Sequence, residues 1–164
     1  MDINDVPILV RREIEARIAG PLIEAFIAEF GREKTIAVAS DVILKLAEES
    51  GQQLAERCGG NSLEHLSNGT GQWSAGGALK RDVLEKTENR YHYNIVSCKY
   101  ANMYRELGLE ELGFIFSCGR DGKMFGGFNP NIRFERTQTI MQGAEHCDFR
   151  LSLEGNDAPS STED

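Results

Sequence analysis

The chain moves between two apolar periods, and the order in which they occur limits its fold class. Ile14, Ile18, Leu22, Phe26 and Phe30 recur every four residues, the spacing that lines one face of a helix. Further on, Tyr91, Tyr93 and Ile95 alternate with His92, Asn94, Val96 and Cys98, the two-residue period of a strand. Helical periodicity returns at Tyr100, Met103, Tyr104 and Leu107, before two more strand-like stretches close the core. Helices, hairpin, helices, hairpin argues α+β: N-terminal helices packed on an antiparallel sheet of about four strands, with two short helices between the hairpins.

The boundaries follow from the punctuation. Residues 6–30 are expected to form a helix, kinked or jointed at Gly20-Pro21. Residues 33–57 are a second helix with Ile36, Ala39, Ile43, Leu46 and Leu54 as its buried stripe, ended by Cys58-Gly59-Gly60. Residues 59–77 hold six glycines and Trp73, which suits either a mobile lid over a site or a connector anchored by the tryptophan. Residues 79–98 are expected to pair as a hairpin turning near Thr87 to Asn89. Helices over Lys99–Leu107 and from Leu109 to about Cys118 follow, then a turn-rich loop over 119–131 (GRDGKMFGGFNPN). Ile132–Met141 and Cys147–Leu153 are expected strands. The result is one domain over residues 1–153, with 154–164 expected to be a disordered tail because it lacks apolar content.

Bulk chemistry excludes some functions. Net charge is -8 and the pI is near 5.0, and no basic stripe interrupts that balance, so nucleic acid is not an expected partner. No run reaches the length of a membrane span, and acids precede the first short apolar patch, opposite to a secretory leader. The expected location is cytoplasmic. There, four cysteines are free thiols, ligands or nucleophiles rather than disulfides.

Three of the four cysteines fall between Cys98 and Arg150. Cys98 stands where a strand passes into a helix, and free N–H groups at a helix start lower a thiol's pKa. His92 and Asn94 share its parity along the strand. Cys118 and Asp121 are spaced C-x-x-D across a turn. Cys147 shares a strand face with Phe149, Leu151 and Leu153, as core or as the inner wall of a pocket, and His146 precedes it. Arg136 alternates with Ile132 and Phe134, so it is expected to point inward. An inward arginine requires an anion, either a substrate carboxylate or an internal acid. Asp148 and Arg150 are expected to pair across the sheet. A zinc site drawn from the three cysteines, a histidine and Asp121 is the alternative to a site without a cofactor, although the spacings are long and no CxxC occurs.

From Cys98 onward the chain resembles the L-2-amino-thiazoline-4-carboxylic acid hydrolase family. The resemblance rests on CKYANMYRELGLEELG, SCGRD, FNPNIRFERTQTIMQG and CDFR, taken in order. It implies a hydrolase that opens a cyclic isothiourea to a carbamoyl-cysteine. It places the family's cysteines and acid at Cys98, Cys118, Asp121 and Cys147, and the substrate is a small molecule. Arg136, His92, Asn94 and His146 are the expected substrate-binding residues. In layout alone the chain is also similar to small-molecule-binding domains related to 4-vinyl reductases, many of them dimeric. That similarity keeps open a non-catalytic ligand- or metal-binding module and a homo-oligomer pairing through helix 6–30.

Overall fold

A computed structural model of the chain describes residues 3–153, without the side chain at position 4. The tail expected to be disordered lies outside the described residues. Two long helices, α1 (Ile8–Phe30) and α2 (Arg32–Cys58), form an antiparallel pair, followed by α3 (Leu63–Gly69) and a 3-10 segment, Thr70–Gly77. Strands β1 (Leu79–Lys86) and β2 (Arg90–Cys98) make the first hairpin. Helices α4 (Lys99–Glu106), α5 (Glu110–Phe116) and α6 (Asp121–Phe128) precede β3 (Ile132–Glu135) and β4 (Cys147–Leu153). The four strands form one antiparallel sheet in the order β1-β2-β4-β3. The fold is α+β, as the alternation of periods predicts. Among the described residues no helix is long and apolar enough to cross a membrane.

Two apolar cores divide the molecule. Tyr91, Tyr93 and Ile95 of β2 and Cys147, Phe149 and Leu151 of β4 pack with Ala47 and Leu54 of α2 and with Met124, Phe125 and Phe128 of α6. Tyr93 stacks on Phe149 at 4.8 Å. A second core joins Ala16 of α1 to Met103 and Tyr104 of α4, Leu112 and Phe116 of α5, and Met141. Cys98 packs against both cores, because it lies where the sheet gives way to α4.

The segment 119–131 is not a loop. One of its glycines serves a helix contact instead: a Cβ on Gly127 would lie 2.1 Å from the Glu48 carbonyl oxygen, and one on Gly51 of α2 would lie 2.0 Å from that of Met124. Bare backbone at both positions lets α6 press directly on α2. Asn129 then fixes the exit from α6, donating from Nδ2 to the Asn61 carbonyl at 2.9 Å and accepting the Asn131 N–H at 2.9 Å. The expected strand Ile132–Met141 is also shorter than its pattern suggests, since the chain leaves the sheet after Glu135 and makes a 3-10 turn at Ile140–Gln142.

Helix α1 continues through Gly20-Pro21, and its expected buried stripe is inverted. Ile14, Ile18, Leu22, Phe26 and Phe30 are 48–64% exposed, whereas Ala16 is fully buried and Gly20 is also buried. The body meets α1 through small residues that permit close approach, and the long aliphatic row projects away. Leu46 of α2, also expected inside, is 51% exposed, while Ala47, Gly51 and Leu54 take the buried face. The glycine-rich stretch is a helical connector. Trp73 lies 6.1 Å from Phe125, and its carbonyl accepts the Tyr100 hydroxyl at 3.2 Å.

Candidate active site

A cavity of about 190 Å³ opens at the junction of the two cores. Cys98, Cys118, Asp121, Arg136 and Cys147 all line it, although they span fifty positions of sequence and five elements or turns. Ile95, Leu54, Trp73, Met124 and Phe149 supply its apolar walls.

Cys98 reaches the cavity because β2 is irregular. Lys80 pairs with Ser97 but Arg81 pairs with Ile95, so Val96 is an extra residue in the ladder. A bulge of this kind reverses the alternation beyond it. Cys98 therefore leaves the parity of His92 and Asn94 and joins Ile95 on the inner side. Its sulfur caps α4, accepting the Ala101 N–H at 3.4 Å. The expected depression of its pKa is not found. Burial pushes the thiol above its ordinary 9.0, and the N–H groups of Ala101 and Tyr100 offset only part of that.

Asp121 is the first residue of α6 and sits beside the 3-10 turn Cys118–Arg120. Its Oδ2 accepts from the Arg136 guanidinium at 2.6 Å, with the two side chains only 17% and 10% exposed. Arg136 also donates to the Cys118 carbonyl at 2.8 Å, and its guanidinium lies 5.3 Å from the Phe149 ring centre. The inward arginine thus has an internal acid as its anion, and both of its terminal nitrogens are engaged. Burial raises the Asp121 pKa, with the Arg136 charge and hydrogen bond opposing.

The other two thiols are neutral at rest. Burial and the Asp121 charge push Cys118 far up. Burial pushes Cys147 up to about 11, although its sulfur accepts the Ile140 N–H at 3.2 Å. Three thiols and a carboxylate share one cavity, yet among the described residues no group of three or more His, Cys, Asp or Glu is placed to hold a metal ion.

The remaining expected substrate contacts lie elsewhere. His92 faces Glu85 on β1, Nδ1 to Oε2 at 3.3 Å. Asn94 Oδ1 accepts from Arg150 at 3.0 Å, and His146 Nε2 meets Gln138 Nε2 at 3.0 Å. None of the three lines the cavity. Strand alternation places His92 and Asn94 on the outer face, and His146 stands just before Cys147, which turns inward. Asp148 and Arg150 do not pair with each other. Asp148 instead accepts the N–H groups of Thr137 and Gln138 at 3.0 and 2.9 Å, which pins the chain just after Arg136.

Arg11, Arg12 and Glu15 of α1, Arg57 of α2, and Arg120 also line the cavity and escaped the sequence reading. The adjacent arginines Arg11-Arg12 on a helix whose apolar row lies elsewhere were the available signal. Together with Arg136, five arginines face two acids, Glu15 and Asp121, around this space. The cavity is cationic within an acidic protein.

No curated protein matches the chain. Among solved structures, the phenol-responsive sensory domain of the transcription activator PoxR, solved with phenol, is similar with a TM-score of 0.53 and 13% identity. That likeness covers 85% of this chain and 75% of the other, and it extends to the fold. A trafficking protein particle complex subunit 3 from Naegleria fowleri, covalently bound to palmitic acid, gives a TM-score of 0.46 at 11% identity, covering 89% and 96%. The family described as L-2-amino-thiazoline-4-carboxylic acid hydrolase matches residues 11–151, from the paired arginines of α1 to the end of the β4 core. The chain belongs to the L-2-amino-thiazoline-4-carboxylic acid hydrolase family.

Proposed function

We propose that this protein opens a 2-aminothiazoline-4-carboxylate-like cyclic isothiourea to a carbamoyl-cysteine. One observation carries the reading: Cys98, Cys118, Cys147 and Asp121 converge on a single cavity. Its size suits the ligand, since engineered cavities of about 150 Å³ take up benzene and this one measures about 190 Å³.

The ring carbon between sulfur and two nitrogens becomes electrophilic when the amidine is protonated. Asp121 is the acceptor for that amidinium. Cys98 is the nucleophile, because its thiol is held by two helix N–H groups and an arriving cation favours its thiolate. The Cys98 sulfur adds to the ring carbon. The ring carbon–sulfur bond breaks, and the departing sulfur takes the proton that Cys98 gave up through Asp121. The substrate is then held on Cys98 as an open-chain isothiourea. Water adds to the same carbon, and Cys98 leaves as a thiol. The released product is a urea with a free cysteine side chain. Nucleophilic catalysis of this kind divides one hard displacement into two easier ones. Asp121, as the proton carrier, contributes on the order of 10²–10⁴ in rate.

The rival reading is a non-catalytic small-molecule or metal-binding module on the same scaffold. Its support is that burial keeps all three cavity thiols protonated at neutral pH. Incubation with the aminothiazoline carboxylate, following ring loss and the appearance of free thiol, separates the two. Turnover that survives both Cys98→Ala and Asp121→Asn sinks the mechanism. Stoichiometric zinc in protein purified without chelator, together with no turnover on any thiazoline, favours the rival.

A further inference from the structure

We infer that the α1 side of the cavity, built from Arg12 and Arg120 with Arg11 beside them, is the pocket for the substrate's carboxylate. This deepens the hydrolase reading and rests on it for the identity of the ring, while the anion pocket itself is a separate physical claim.

Arg136, the sequence's candidate for this role, is already committed. Its two terminal nitrogens are held by the Asp121 carboxylate and the Cys118 carbonyl. Recruiting it would strip a buried acid of its partner. Arg120 is in the opposite condition. Its guanidinium is largely withdrawn from water yet makes no hydrogen bond or ion pair among the described residues. Burial lowers its pKa to about 10, the neighbouring Arg12 adds to the depression, and the charges of Glu15 and Asp121 oppose it. Arg12 is paired with Glu15 on its own helix, and the other acid of the cavity, Asp121, is paired with Arg136. The Nε of Arg11 is buried without a hydrogen-bond partner, as is the hydroxyl of Tyr104, which feels the charges of both Arg12 and Arg120.

Buried donors without hydrogen-bond partners are costly to maintain, as is a cluster of half-buried cations that outnumbers its acids. They are consistent with a site completed by a ligand that brings its own anion. A carboxylate is the matching group, because a guanidinium fork accepts it through two parallel hydrogen bonds. Asp121 and Cys98 serve the amidine carbon, while Arg12 and Arg120, which line the same cavity, hold the acid.

The test is calorimetric binding of thiazolidine-4-carboxylate, a ring acid without the hydrolysable amidine, compared with thiazolidine, the same ring without the acid. Wild-type protein is expected to bind the acid at least tenfold more tightly. Arg120→Gln is expected to erase that preference, Arg120→Lys to keep part of it, and Arg12→Gln to weaken it. If Arg120→Gln does not fold, Arg12→Gln and Arg120→Lys decide. Equal binding of acid and parent ring by wild type overturns the pocket, as does an undiminished preference in folded Arg12→Gln and Arg120→Gln. Preference without turnover of the aminothiazoline acid retains the pocket and removes the hydrolase; turnover with no preference does the reverse.

Discussion

Arg136 and Asp121 meet at 2.6 Å on the wall of the cavity, with both side chains mostly withdrawn from solvent. Fifteen positions separate them in the chain. The pair joins the strand side of the molecule to the start of α6 and holds the acid beside Cys118. Removing one member leaves the other as an uncompensated buried charge, at a cost of about 3–5 kcal/mol. Arg136→Met is therefore expected to lower the urea midpoint sharply. The double variant Arg136→Met/Asp121→Asn is expected to recover part of the loss while remaining inactive. A double-mutant cycle by urea denaturation measures both effects. Strict additivity of the two single changes would deny the coupling.

The thiols give the protein a pH signature. Cys98, Cys118 and Cys147 all have pKa values raised by burial. For a group raised in the folded state, the unfolded chain releases its proton first as pH rises. The stabilising contribution is thus complete below the ordinary thiol value of 9.0 and is lost as pH climbs through the folded values. Stability is expected to fall between about pH 8.5 and 11, and Cys118→Ala is expected to flatten that slope. Denaturant midpoints across this range provide the check.

Turnover should follow the same groups. The acid limb of kcat/KM is expected above the ordinary carboxylate value of 3.8, because burial raises Asp121. The rate is expected to keep rising into alkaline solution as Cys98 ionises from above 9.0. A profile flat from pH 5 to pH 9 would count against the Cys98 assignment. So would a Cys98→Ala variant that retains more than about a hundredth of wild-type turnover.

Outside the cavity, substitutions should be quiet. His92, Asn94 and His146 contact Glu85, Arg150 and Gln138 instead of the cavity. Alanine at His92 or His146 is expected to leave kcat/KM within about twofold of wild type. Steady-state kinetics on the two purified variants is sufficient. A tenfold loss in either would mean that the substrate reaches the outer face of the sheet.

The glycines of α6 offer a sharp contrast in stability. Gly127→Ala would drive a methyl to 2.1 Å from the Glu48 carbonyl oxygen, whereas Gly126 has no atom within 4 Å of the same position. Gly127→Ala is expected to cost about 3 kcal/mol or more and, by shifting α6, to displace Asp121 and abolish activity. Gly126→Ala is expected to be neutral or stabilising by up to about 1 kcal/mol. Thermal melts of the two variants distinguish them directly.

Local chemistry was legible in the sequence. Residue period alone marked the helices and strands, because a helix or strand face repeats within a few positions. The order of those periods was enough for an α+β domain, and the motifs from Cys98 to Arg150 were enough for the family resemblance. What periodicity cannot report is which side of an element meets a neighbour. The aliphatic row of α1 is apolar and regular, yet the body packs against Ala16 and Gly20 because small residues allow the closer approach. Glycine density around 122–127 reads as a loop for the same reason: the contact that Gly127 permits is with Glu48 of another helix. The site divides in the same way. Cys98, Cys118, Asp121, Arg136 and Cys147 were readable as chemical types. Their meeting depended on a one-residue bulge at Val96 that turns Cys98 inward and on two helices in backbone contact that set Asp121 in place. Arg12 and Arg120 become neighbours only when α1 folds against the turn before α6. Residue type is a local property, whereas cavities and ion pairs arise from distances between segments remote in sequence, and those distances belong to the packed chain.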